Sequence, residues 1–159
     1  MAGELFKAMA GVDIVHVPYK GSSQARTDTV GGQVDMMFDA VTTMSEFARA
    51  GKVRALATTG KVRSTVLPDV PTLTESSVPG YEAVIWLGVM APKNTPPDIV
   101  RRLNAEIGKI TAKPDVRAEW AKQGAVAMTM TSEEFGRYEA DDIAKWERIV
   151  RISGAKADQ

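Results

Sequence analysis

The run YEAVIWLGVMA, Tyr81 to Ala91, constrains this chain more than any other stretch. It is long, strongly apolar, and carries β-branched and aromatic residues, the composition of a buried strand. Such a strand needs neighbours, because backbone N–H and C=O groups cannot be left unpaired away from water. After Ala91 the sequence offers three helical patterns and one short candidate edge strand, Ala125 to Met130. A lone strand and three helices cannot build a sheet. Partners for Tyr81 to Ala91 must come from the first half, or from polypeptide outside these 159 residues.

The first half does offer candidate strands: Asp13 to Val17 (DIVHV), Val34 to Phe38 (VDMMF) and Val53 to Thr58 (VRALAT). A helix is predicted over Ser22 to Val30, with Ser22 or Ser23 as N-cap and Gly31-Gly32 as its stop. Another is predicted over Thr42 to Ala50, capped by Thr42 or Thr43 and closed by Gly51. Strands and helices in alternation, joined by short links, predict an α/β class with parallel strands. The opening MAGELFKAMAG reads as a helix with Leu5, Phe6 and Met9 on one face and Gly11 at its end. Lys61 to Gly80 is a long connection with three prolines and one helical turn at Thr72 to Ser76. Beyond Ala91, helices are predicted over Pro97 to Ala112 and Pro114 to Gln123. A last helix starts at a Thr131 or Ser132 cap with Glu134 behind it, runs to about Ile152, and is followed by Gly154.

Composition narrows the function. Twenty Lys and Arg balance twenty Asp and Glu, so no broad field draws the chain to nucleic acid or an anionic membrane. No Cys and one His leave little for zinc sites or for Ser–His and Cys–His nucleophiles. No apolar run reaches the length of a membrane helix, and the N-terminal segment lacks the pattern of a signal peptide. His16, Lys20 and Asp39 form the only candidate catalytic trio, and no set of nucleophile, base and oxyanion donors assembles around them. An enzyme is not expected.

The stretch VPYKGSSQARTDTVGGQVDMMFD holds the candidate site. Helix N-termini attract anions through unpaired N–H groups and the positive end of the dipole. At YKGSS, Gly21 allows close approach, Ser22 and Ser23 add donors, and Lys20 adds charge; an ordinary cap beside a solvated Lys is the competing reading. Asp39 stands past the end of a predicted strand, before Thr42 and Thr43, where ligands of open α/β sheets bind; it equally suits an N-cap. Trp86 fits either a packed core or a pocket wall beside Gly88.

Four segments, AGELFKAMAGVDIVHVPYKGSSQARTDTVGGQVDMMFD, GKVRALATTGKVRSTVLPDVPTLTES, PGYEAVIWLGVMAPKNTPPDIVRRLNAEI and PDVRAEWAKQGA, resemble the tripartite tricarboxylate transporter substrate-binding proteins, the Bug family. VPYKG, GGQVDMMFD, RALATT and LPDVPT stand in that family's order and spacing. The resemblance runs through nearly the whole chain and matches roughly the C-terminal half of a family member. It implies a type II periplasmic-binding-protein-like α/β lobe, with a parallel or mixed sheet flanked by helices, plus C-terminal helices of the other lobe. Residues 1–78 would then be most of the second ligand-binding lobe. Residues 79–159 would be the crossing strand and the C-terminal part of the first lobe.

The same resemblance implies a periplasmic solute receptor that binds a small carboxylate or amino acid between two lobes and delivers it to membrane transporter subunits. The wall carried by this chain would be Tyr19, Lys20, Gly21, Ser22, Ser23, Phe38, Asp39 and Thr42, with Trp86 near the crossing. Asp39 would suit a ligand ammonium or hydroxyl. No cofactor and no nucleic acid are implied. The alternative expectation is an independently folded module, or a homodimer that exchanges strands along Tyr81 to Ala91.

Overall fold

The computed structural model describes residues 1–153. Seven helices follow one another along them: α1 (Ala2–Ala10), α2 (Ser22–Val30), α3 (Val41–Arg49), α4 (Leu73–Ser76), α5 (Pro97–Thr111), α6 (Pro114–Lys122) and α7 (Ser132–Ser153). Glycine stops fall where the sequence puts them. Gly11 closes α1 at φ 65°, and its N–H returns to the Lys7 carbonyl. Pro97 and Pro114 open α5 and α6, positions where the missing N–H is no loss. α4 and α7 start with complete capping boxes, Thr72 with Glu75 and Thr131 with Glu134. The glycine stop expected at Gly154 lies outside the described residues.

Two expected caps are corrected. The N-caps of α2 and α3 are Gly21 and Ala40, and neither helix has a side-chain cap. Ser22 is already the first helical residue of α2, so its hydroxyl follows the N-cap instead of occupying it. Thr43 points its hydroxyl back to the Ala40 carbonyl and to Asp39.

The expected sheet is also corrected. Among the described residues no β-ladder forms; one isolated parallel bridge joins Thr58 to Thr72. The runs read as strands leave apolar side chains in water: Val15 is 89% exposed and Leu87 is 98% exposed. A strand is defined by a neighbour that takes its backbone groups. Within these residues only Thr58–Thr59 finds such partners, bonding to Pro71, Leu73 and Ala83.

The core sits where α1, α7 and the segment Val78–Ala83 meet. Leu5, Val78, Tyr81, Ala83 and Ile149 are buried together, with Phe6, Phe38, Leu73 and Trp146 packed around them. Tyr81 is 1% exposed. Its ring lies 6.3 Å from Phe6 and 6.4 Å from Phe38. Phe38 thereby anchors the segment that leads into α3.

Candidate ligand-binding site

The two halves of the expected wall meet through one ion pair. Arg26, on the second turn of α2, reaches Asp39, just before α3: Nη2 stands 3.0 Å and Nε 3.1 Å from Asp39 Oδ2. The Asp39 side chain is 8% exposed. Its Oδ1 accepts the Ala40 N–H at 2.9 Å, and its Oδ2 also accepts the Thr43 hydroxyl at 3.2 Å. Three of these donors converge on Oδ2 and one reaches Oδ1, so the Arg26 guanidinium sits directly against the carboxylate charge. The pair therefore ties the start of α2 to the start of α3.

Those two helix starts share a further property. Of the seven helices, α2 and α3 alone have no acidic residue in the first turn. Neither has a side-chain cap. Their first N–H groups are thus left without the side-chain acceptors that satisfy α4 and α7. Ser22, Ser23 and Thr42 lie exposed in the two first turns. Gly21 is extended at φ 176°, a conformation open to any residue, and a Cβ there would meet nothing within 4 Å. Neither backbone nor packing asks for glycine; the space in front of it is open. Lys20 is exposed beside it.

Tyr19 and Phe38 face inward to their own structure. The Tyr19 hydroxyl donates to Asp28 at 2.9 Å, and that acceptor holds the phenol above its ordinary pKa. Phe38 packs 5.8 Å from Phe6. Trp86 is placed on α7. Its Nε1 donates to Asp142 at 2.9 Å, and its ring stands edge-on to Phe135 and Tyr138. None of its hydrogen-bond or ring contacts is with Tyr19–Ser23 or Phe38–Thr42. The candidate catalytic trio separates: His16 faces Glu4 at 3.4 Å, Asp39 faces Arg26, and no hydrogen bond joins them to Lys20. Arg26 is the residue that sequence reasoning missed.

No group of three or more His, Cys, Asp or Glu able to hold a metal occurs among the described residues. No described helix is long and apolar enough to cross a membrane. An open groove of about 590 Å³ lies at the far end of α3, lined by Arg49, Lys52, Arg54, Leu67 and Val70 among others. Two of its cations are engaged, Arg49 by Glu46 and the Val66 carbonyl, Lys52 over the Phe47 ring. None of the expected wall residues lines it.

Comparison with known proteins gives the family of the chain. A profile described as the tripartite tricarboxylate transporter family receptor (TctC) matches residues 1–155. A UPF0065 protein from the tcbD–tcbE intergenic region of Pseudomonas sp. strain P51 is 41% identical over 151 residues, 94% of this chain and 45% of that one. A second, from the clcB–clcD intergenic region of Pseudomonas knackmussii, is 36% identical over 151 residues, 94% of this chain and 89% of that one. Among solved structures, R. palustris Rpa4515 with adipate superposes with a TM-score of 0.88 at 34% identity, covering 96% of this chain and 51% of that chain. The periplasmic binding protein BugD gives 0.83 at 32% identity, covering 98% and 52%. MatC from Rhodopseudomonas palustris with bound malate gives 0.79 at 32% identity, covering 94% and 52%. The chain belongs to the tripartite tricarboxylate transporter receptor (TctC, or Bug) family, whose members are solute-binding receptors and not enzymes. It spans about half the length of those solved structures.

Proposed function

We propose that this chain supplies one wall of a carboxylate-binding cleft in a periplasmic receptor serving a tripartite uptake system. The observation that carries the reading is the pair of helix starts at Gly21–Ser23 and Ala40–Thr42, neither with a side-chain cap or an acidic residue in its first turn, linked by the Arg26–Asp39 ion pair. Backbone N–H groups and the hydroxyls of Ser22, Ser23 and Thr42 are suited to a ligand carboxylate. Solved relatives with adipate and with malate support that chemistry. Residues 1–78 belong to one lobe in this reading, and 79–159 return to the other. A cleft with one wall binds weakly, so the test must detect weak binding. In a 15N-labelled sample of the chain, millimolar adipate or malate is expected to shift the amides of residues 20–23 and 40–43. The reading is abandoned if neither acid moves those amides.

A second reading rests on a different observation. Ile85, Leu87, Val89 and Met90 are all exposed on one apolar run, a ready edge for pairing with a second copy. Sedimentation velocity over a range of concentrations decides it: mass-action growth of a dimer peak supports pairing, and one concentration-independent monomer peak excludes it.

A further inference from the structure

We infer that Arg26 is a specificity-determining residue, which by neutralising Asp39 sets this wall to take a ligand's carboxylate and refuse its ammonium. The inference rests on the carboxylate-cleft reading above and goes beyond it by naming the ligand class: organic acids without an amino group at the end held by this wall. Asp39 is the acidic side chain that stands between the two helix starts. Left alone, it would favour a cation and repel an anion. It is not left alone. A guanidinium that is itself largely buried, with 19% of its side chain exposed, sets two N–H groups on Asp39 Oδ2, and the Ala40 N–H and the Thr43 hydroxyl add to them. A ligand ammonium would meet a carboxylate whose charge is already offset.

The pairing is held from several sides, so it is not a wandering surface contact. Phe38, next in sequence to Asp39, is fixed in the Phe6–Tyr81 aromatic cluster. Thr43 on α3 bonds Asp39 from the other side. Arg26 also lies 3.5 Å from the Ser22 hydroxyl at the start of its own helix. Remove the guanidinium and the Asp39 charge stays where it is, half-shielded and uncompensated. Remove the carboxylate and the guanidinium is released to face the wall.

Opposite signs make the test decisive. Adipate and 6-aminohexanoate have the same chain length and differ in one end, carboxylate against ammonium. Their apparent dissociation constants are read from amide shifts of residues 20–23 and 40–43. The chain as it stands is expected to prefer adipate. Arg26→Gln is expected to weaken adipate on the order of tenfold, with 6-aminohexanoate unchanged or tighter. Asp39→Asn is expected to move adipate the other way, toward tighter binding. The double variant Arg26→Gln/Asp39→Asn, with neither charge, restores the original preference. The inference is overturned if adipate binds but its preference over 6-aminohexanoate is unmoved by Arg26→Gln, or if both single variants weaken adipate alike. Should Arg26→Gln fail to fold, Asp39→Asn and the double variant still carry opposite expectations. Loss of binding for both probes in the unaltered chain instead refutes the cleft reading on which this one stands.

Discussion

Replacing Tyr81 with Phe removes one oxygen from the centre of the core. The residue is 1% exposed, and its hydroxyl donates to the Ala2 carbonyl at 2.8 Å. At neutral pH the loss is one buried hydrogen bond, about 1 kcal/mol. A second effect runs the other way as pH rises. Burial pushes the Tyr81 phenol from 10.0 up to about 12, because the phenolate would have to give up its water. The unfolded chain loses this proton first. Stability is therefore complete below the unfolded value and declines as pH climbs toward the folded one. Each pH unit inside that window removes about 1.4 kcal/mol, and the whole window about 2.7 kcal/mol. Tyr81→Phe has no phenol to titrate. The unaltered protein should thus be more stable by about 1 kcal/mol at about pH 8, equal near pH 10.7, and less stable above it. Urea unfolding followed by far-ultraviolet circular dichroism, with both proteins run in parallel, reads the difference. All other ionisable groups are common to the two proteins, so their contributions cancel. A difference that stays flat from about pH 8 to 11 refutes the claim that Tyr81 is buried and hydrogen-bonded as described.

Two glycines should separate packing from binding. At Gly88 a Cβ would fall 2.5 Å from Phe135 Cζ, so Gly88→Ala must push the ring off Trp86 and is expected to lower stability by about 1–2 kcal/mol. Gly21→Ala, with open space around it, should leave the unfolding midpoint unchanged while weakening adipate-dependent amide shifts; a lower midpoint would mean Gly21 is structural. Glu75 has its pKa lowered, first by the Thr72 N–H and then by Arg63. Its contribution is present above the ordinary carboxylate range and disappears as pH falls through the lowered value. Glu75→Gln should flatten the acid side of a melting-temperature profile, and an unchanged acid slope would contradict that. Asp142→Asn leaves the Trp86 N–H an acceptor oxygen, whereas Asp142→Ala removes it; the Ala variant should be less stable by about 1 kcal/mol relative to Asn, measured by urea unfolding.

Helices were legible in the sequence because their signals are local. Ser22–Val30 ends where its glycine stop puts it, and the Thr131–Glu134 box closes within four residues. Strands were not, because a strand is completed by a partner distant in sequence. Asp13–Val17 and Tyr81–Ala91 have strand composition, yet among the described residues no β-ladder forms along either of them. The wall segments could be placed from strand ends and helix starts. Their electrostatics could not. Arg26 lies thirteen residues from Asp39 in a polar helix with no buried residue, and nothing in its local pattern marks it as a partner. Asp39 read alone looked open to an ammonium; only the folded geometry sets the Arg26 guanidinium against it. Trp86 had two open readings, and its bonds to α7 are those of a packing residue.

The core draws on α1 and α7 at once, with Leu5, Tyr81 and Ile149 in one cluster. That has a consequence for synthesis. Translation at about 5–20 residues per second separates the emergence of Leu5 from that of Ile149 by roughly 7–29 s. During that interval Leu5, Phe6, Phe38 and Tyr81 have each other but not the last helix that covers them. Loops this long close late, so the cluster is a slow, high-contact-order event and not an early nucleus. Until α7 arrives, the nascent chain carries that apolar cluster open on the side that Ile149 later closes.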